Sequence, residues 1–396
     1  MSPIRILSIT SLSGFQFGFN LAIISGALLF LTGAMGLSYA QENLAVSMIV
    51  LGALLGSLIS GWCANALGRR GVLHLGALLS FIAPFFLPFS FETFLLARGL
   101  QGIAIGLVSV AAPLYIAELA PPERRGVYVS TNQLAITIGV FVAYLVNVAY
   151  AKSGAWEMMF GVAAIPALIQ LIGLFFLPKG IAPEKGSQLP LHALLRPPLL
   201  RLLLIGIFLS ILQQVTGINA IIYFAPRIFQ DAGLMGPSGA ILATAGIGLV
   251  NVGSTIIAML VLDRWGRKPA LLVSLAGMVL SLGVVIPSLT FAAPWVDWMA
   301  VAGLMGYVAF FAFGMGPVPW LVIAEIYPLP IRARAMGLAT LFNWLFNFAT
   351  AYTFLGLSRS ITTAGTFALY AALAVIGLFV VWKWLPETKG VALEGD

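Results

Sequence analysis

The sequence predicts an all-α membrane protein with twelve transmembrane helices in two six-helix bundles. Three observations predict it. The 396 residues are 61% hydrophobic and only 8% charged, more apolar surface than a water-soluble fold of this length can hide. The apolar residues run in stretches that reach the roughly 20 residues needed to cross a bilayer core, too continuous for barrel strands, which alternate over about ten. The Lys and Arg residues gather in alternate loops. Arg69, Arg70, Arg124, Arg125, Arg196, Arg201, Arg264, Arg267, Lys268, Arg332 and Arg334 fall on one side, and only Lys152, Arg227 and Arg359 on the other. That bias places both termini in the cytoplasm. The formal charge of +7 therefore reads as topology. Nucleic acid is not an expected partner, because no basic patch is interleaved with stacking aromatics.

The spans are expected at 7–32, 42–64, 71–91, 93–118, 127–149 and 157–177, then at 199–231, 238–262, 269–290, 298–326, 333–358 and 363–385. The first apolar run is long and carries no cleavable signal pattern. Residues 1–178 form the first bundle, 179–198 a short cytoplasmic connector and 199–396 the second bundle. At most one small helix fits in the connector, over about 189–195. Cys63 is the only cysteine, so no internal disulfide exists; inert packing is expected of it. His74 and His192 lie in or beside cytoplasmic loops without metal spacing or a catalytic partner, and are expected to be solvated. No Gly-rich phosphate loop, metal pair or matched nucleophile and base is visible. The chain does not read as an enzyme and no cofactor is expected.

The halves echo each other. "ALGRRGVL" after the second span returns as "DRWGRKPALL" after the eighth, and "AELAPPERRG" at the end of the fourth returns as "AEIYPLPIRARAMG" at the end of the tenth. Asn20 in the first span matches Asn219 in the seventh. Repeats of this kind are built as two bundles rocking about a central site.

Amides are conspicuous inside the apolar spans: Gln133 in the fifth, Gln213, Gln214 and Asn219 in the seventh, Asn251 in the eighth, Asn343 and Asn347 in the eleventh. An amide offers a donor and an acceptor side by side without importing charge. That suits a ring of hydroxyls, each of which costs on the order of 1–3 kcal/mol if left unpaired. An aromatic such as Trp320 suits the C–H face of a sugar. On a regular helix Asn219 would face away from Gln213 and Gln214; Gly217 permits an unwound turn that would bring it back toward the cavity. Gly314, Gly316, Pro317 and Pro319 loosen the tenth span before Trp320. Phe224, Tyr223 and Trp344 either line the cavity or pack the core. Asn132, Asn147, Gln170 and Gln16 read as glue between helices.

"GRR", "AELAPPERRG", "NQLAITIG", "QQVTGINAIIYFAP", "DRWGRK", "GPVPWLVIAEIYP" and "PETKG", in this order, resemble the sugar porter family of the major facilitator superfamily over nearly the whole chain. The resemblance implies the major facilitator fold, a monosaccharide site between two bundles and alternating access. It implies that Gln133, Gln213, Gln214, Asn219, Asn251, Trp320 and Asn343 contact the sugar. It implies that Glu118 with Arg124 and Arg125, Glu325 with Arg332 and Arg334, and Asp263 with Arg264, Arg267 and Lys268 form gating networks.

Two departures matter. Asn65 stands where the family carries an acid before "GRR". In proton-coupled members, the position of Asn20 is an Asp that pairs with the arginine matching Arg98; the family's glucose facilitators carry Asn. A carboxylate can take up and release a proton in each cycle and an amide cannot. The expected function is therefore passive monosaccharide uniport, working as a monomer in a plasma or inner membrane. A proton-coupled symporter and a non-transporting sugar receptor are the alternatives.

Overall fold

The structure is a computed structural model and describes residues 3–119, 125–178, 194, 196–231, 236–291 and 296–389. The side chains of Glu118, Arg125 and Asp263, and the whole of Arg124 and of residues 179–193, lie outside the described residues. The expected connector helix, His192 and four of the expected gating acids and bases fall there.

Among the described residues all regular structure is helical. In chain order the helices are α1 (Pro3–Ala22), α2 (Ile24–Met35), α3 (Tyr39–Ile82), α4 (Phe91–Leu119), α5 (Arg125–Tyr150), α6 (Trp156–Gly161), α7 (Ala164–Leu174), α8 (Pro197–Val215), α9 (Ile218–Asp231), α10 (Pro237–Trp265), α11 (Arg267–Ser288), α12 (Val296–Phe310), α13 (Val318–Ile326) and α14 (Leu329–Trp384). Nine helices among the described residues are long and apolar enough to cross a membrane, or ten if the bent pair α1 and α2 is one span. Two of these are far longer than the roughly 20 residues of one crossing: Tyr39–Phe86 has 48 residues and Arg334–Trp384 has 51. Each contains a break. Gly68, in "GRR", takes φ 72°, ψ 165°, a conformation that costs glycine little. Ile361 and Thr362 interrupt α14, with Thr362 at φ 66°. The Thr362 hydroxyl accepts the Gly365 N–H at 3.1 Å, as an N-cap does.

The chain forms two compact units. One is Met1–Pro183 with Ile222–Leu249; the other is Glu184–Ile221 with Val250–Asp396. In the first, α3 and α4 meet through paired Gly-x-x-x-Gly stripes. A Cβ on Gly102 would stand 2.8 Å from Gly52 Cα and 2.9 Å from Ala53 N. Gly106 likewise faces the Gly56 backbone. In lipid, where apolar tails remove the hydrophobic drive between helices, such close backbone approach holds spans together. α1 and α7 are joined by Gln16 Nε2 donating to Gln170 Oε1 at 2.6 Å and Gln170 Nε2 donating to Ser13 Oγ at 2.5 Å, so both glutamines act as glue. Cys63 sits in a buried cluster with Val72, Ala111, Tyr115 and Leu174. Arg70 donates to the carbonyls of Leu177 at 2.5 Å and Phe175 at 3.1 Å, satisfying acceptors left open after α7. His74 is half-buried and its ring meets Phe175 edge-on at 4.8 Å, so it is packed rather than solvated.

Several contacts among the described residues join Ile222–Leu249 to this unit. Tyr144 Oη donates to Ile222 O at 2.9 Å. Gly248 lies against Tyr144 and Phe141. Arg227 pairs with the buried Glu42 at 3.7 Å.

In the second unit α8 and α11 pack on α14, and α11 on α12. A buried cluster joins Leu203, Ile323, Tyr327, Ile331, Ala335 and Ala339.

The glycine stripe carries a stability prediction. Gly102→Leu drives its side chain into backbone that cannot yield, at a cost on the order of 3 kcal/mol. Thermal unfolding in detergent should show a clear drop in Tm. Gly61→Ala, at a position with nothing within 4 Å, should leave Tm unchanged or slightly raised.

Candidate functional site

Between α8 and α9 the helix breaks at Gly217, φ 94°. A side chain there would be strained by the backbone and would strike the Tyr370 ring, whose Cε2 lies 2.6 Å from the ideal Cβ. The break frees carbonyls that must be satisfied inside a membrane. Tyr307 Oη donates to Thr216 O at 2.7 Å, and Thr350 Oγ1 donates to Gln214 O at 3.3 Å.

A second irregularity follows α12. Phe311–Met315 winds as a π-helix, a form that recurs at functional sites. Pro319 has no N–H to give Met315 O, its partner in a regular helix. Ser274 on α11 steadies this turn, its hydroxyl donating to Phe310 O at 2.7 Å and accepting the Met315 N–H at 2.9 Å.

Gln213 joins the two irregular segments. Its Nε2 donates to Met315 O at 2.7 Å and to Gly316 O at 2.9 Å. With both protons committed to carbonyls, the amide has one orientation. Gln213 Oε1 accepts from Asn343 Nδ2 at 2.9 Å and from Gln214 Nε2 at 3.2 Å. Asn343 Nδ2 also donates to Ser210 O at 3.2 Å, so its Oδ1 faces Gln214 Nε2, at 3.1 Å. Gln214 Oε1 then accepts from Asn219 Nδ2. Backbone carbonyls thus fix the direction of every amide in a relay that ends at Asn219. Gln213 spends its full capacity within the protein. Asn219 keeps Oδ1 and one N–H, and Gln214 Oε1 and Asn343 Oδ1 each keep a lone pair.

Four of the seven expected contact residues are therefore joined in one uncharged network. The other three are not in it. The Asn251 side chain is buried at 7% exposure and Trp320, in the first turn of α13, is half-buried. Neither bonds to the relay among the described residues. Gln133 is half-buried in the first unit. Phe224, Tyr223 and Trp344 are all buried. Sequence reasoning missed Tyr307, Thr350, Tyr370, Ser210 and Ser274. All act across helix contacts, and no local pattern marks them.

The position of Asn20 is built differently from the relay. Arg98 is fully buried, and its Nη1 donates to the backbone carbonyl of Asn20 at 2.8 Å and to Gln101 Oε1 at 3.1 Å. Its guanidinium lies 5.3 Å from the Phe160 ring centre. The Asn20 side chain, also fully buried, makes no hydrogen bond among the described residues.

The charged cluster at the end of α13 differs from the expected pairing. Glu325 meets Arg267, whose Nε donates at 3.0 Å and Nη2 at 2.8 Å to Oε1. Arg332 instead donates through Nε to Tyr327 O at 3.0 Å. The reason is the "PETKG" segment. Thr388 Oγ1 donates to Glu325 Oε2 at 2.5 Å, so Glu325 is held between Arg267 and the tail. Glu387 accepts the backbone N–H groups of Arg267, Lys268, Thr388 and Lys389 at 2.9–3.0 Å. It caps the start of α11, where a carboxylate suits the helix dipole. Partial burial pushes the Glu387 carboxyl up, but the four N–H donors together outweigh it, leaving it below the usual carboxylate range. Lys389 Nζ donates to Arg264 O at 2.8 Å. Glu387 and Thr388 were legible only as part of a motif, not as its working groups.

The family model "Sugar (and other) transporter" matches residues 6–180 and 183–395. A galactose-proton symporter of Escherichia coli (strain K12) is 34% identical, over 98% of this chain and 92% of its own length. Glucose transporter GlcP of Staphylococcus epidermidis is 33% identical, over 98% of this chain and 95% of its own. The inward open structure of the xylose transporter XylE from E. coli superposes with a TM-score of 0.84 at 29% identity, covering 99% of this chain and 98% of that one. The twin irregular spans and their amides thus lie in a scaffold shared along its full length with transporters of sugars, and the chain belongs to the sugar porter family of the major facilitator superfamily.

Proposed function

We propose that the protein is a passive monosaccharide transporter that works by alternating access across twelve spans. The breaks at Gly68 and Thr362, each inside a double-length helix, support that count. The single observation that carries the sugar reading is the relay from Gln213 to Asn219. It is uncharged, fixed in direction by backbone carbonyls, and ends in open donor and acceptor positions of the kind a hydroxylated ring requires. Asn251, Trp320 and Gln133 complete the proposed contact set, and the Glu325–Arg267–Thr388 cluster belongs to its gating machinery. We place the protein in a plasma or inner membrane with both termini cytoplasmic, acting as a monomer and without enzymatic activity.

The passive reading rests on Asn20. Arg98 meets the backbone carbonyl there, not a carboxylate, and an amide does not cycle a proton. A symport reading is favoured by the relatives named as proton symporters for galactose and arabinose. One experiment decides. Proteoliposomes are tested for counterflow of a panel of labelled monosaccharides, with and without a protonophore, while lumenal pH is followed. The expected result is saturable exchange of at least one sugar, unaltered by the protonophore and without a pH change. Sugar-driven alkalinisation would establish symport, and binding without exchange would establish a receptor.

A further inference from the structure

Arg98 is 0% exposed, as are Asn20 and Gln101. Among the described residues no carboxylate pairs with Arg98, whose hydrogen bonds are to the Asn20 carbonyl and Gln101 Oε1, both from Nη1; Tyr223 also lies close enough to act on its charge. Its Nε and Nη2, the Gln101 Nε2, and both polar atoms of the Asn20 side chain are buried without a hydrogen-bond partner among the described residues. An isolated buried cation is expensive, and a guanidinium does not escape the cost by losing its proton. The Phe160 ring offsets only part of it.

The unused atoms have a definite character. Nε and Nη2 form the edge of the guanidinium fork that grips an anion from the side. With Gln101 Nε2 and Asn20 Nδ2 they make four donor atoms against one acceptor, Asn20 Oδ1. A water molecule accepts two hydrogen bonds and must donate two, so it leaves donors unused and supplies no charge. A halide accepts from all four, donates nothing and carries the missing charge. We propose that Asn20, Arg98 and Gln101 bind a small monovalent inorganic anion of chloride size. The complete burial of all three residues favours a monatomic ion over a larger organic anion. The ion would do, without titrating, what a carboxylate on residue 20 would do.

The binding test does not depend on the transport reading. The purified full chain in detergent is unfolded thermally in chloride, bromide and gluconate at matched ionic strength. Chloride and bromide should raise Tm by about 3 °C or more over gluconate. Asn20→Asp supplies a fixed charge beside Arg98, whose Nη1 already bonds the backbone of residue 20. It should abolish the halide difference and match, in gluconate, the stability of the wild type in chloride. Should Asn20→Asp not fold, crystals of the wild type grown in bromide should give an anomalous peak beside Arg98 Nε and Nη2. A halide difference below about 1 °C in the wild type, one that persists in Asn20→Asp, or a bromide-grown crystal without that peak would overturn the proposal.

Discussion

Asn219→Ala will lower saturable sugar counterflow by roughly 10²-fold while leaving the protein folded. Two properties of the relay produce this outcome. Asn219 is its last member, bound to the rest only through Gln214 Oε1, so its loss removes one hydrogen bond, worth about 1 kcal/mol to stability. It is also the member with most capacity to spare, an Oδ1 and one N–H. A sugar bound there loses both partners at once; two unpaired groups at about 1–3 kcal/mol each cost about 2–6 kcal/mol, and roughly 10²-fold sits near the lower end of that span. Asn219→Asp is the sharper comparison. A carboxylate brings no N–H to Gln214 Oε1, whose orientation the upstream carbonyls fix, so oxygen faces oxygen. Counterflow should fall at least as far as in Asn219→Ala, and Tm should fall further. Kinetics in proteoliposomes with Tm in detergent check both. Wild-type counterflow in Asn219→Ala would remove the relay's end from the sugar site.

How far the sequence anticipated this site depends on the distance over which each interaction acts. Spans were legible because hydropathy is a local sum; the expected 93–118 and 238–262 fall inside α4 and α10. The break at Gly217 was legible because glycine beside a run of amides permits it; that it would bring Asn219 onto Gln214 was not. The role of Gln213 was not legible. Its two protons go to Met315 and Gly316, about a hundred residues on, and only a π-helix followed by Pro317 and Pro319 makes those carbonyls available. The Glu325 pairing failed for the same reason. The family resemblance implied Arg332 and Arg334, whereas the contact is made by Arg267 from the start of α11, with Thr388 from the "PETKG" segment. Asn20 could be read as a missing carboxylate. That Arg98 would take its backbone carbonyl, leaving the side chain unpaired, needed coordinates.

The root of the relay should behave differently from its end. Gln213→Leu keeps the bulk but removes all four hydrogen bonds of the amide. The carbonyls of Met315 and Gly316 lose their donor, and Asn343 Nδ2 and Gln214 Nε2 each lose an acceptor. Within a membrane protein interior, groups left in this way cost more than the bonds were worth. Four of them at about 1 kcal/mol each amount to roughly 4 kcal/mol, a loss that should appear as a large fall in Tm. Transport should vanish as well, for a reason separable from stability. With Gln213 gone, Gln214 and Asn343 are no longer fixed in orientation, and the open atoms of Asn219 lose their preset direction. Combining several stabilising substitutions elsewhere, each worth about 0.5–2 kcal/mol, should then restore folded protein without restoring counterflow. Asn219→Ala should show the converse, a stable protein with an impaired site. If stabilised Gln213→Leu instead transports at the wild-type rate, the amides are a structural brace between two irregular helices, and the sugar is bound by other groups.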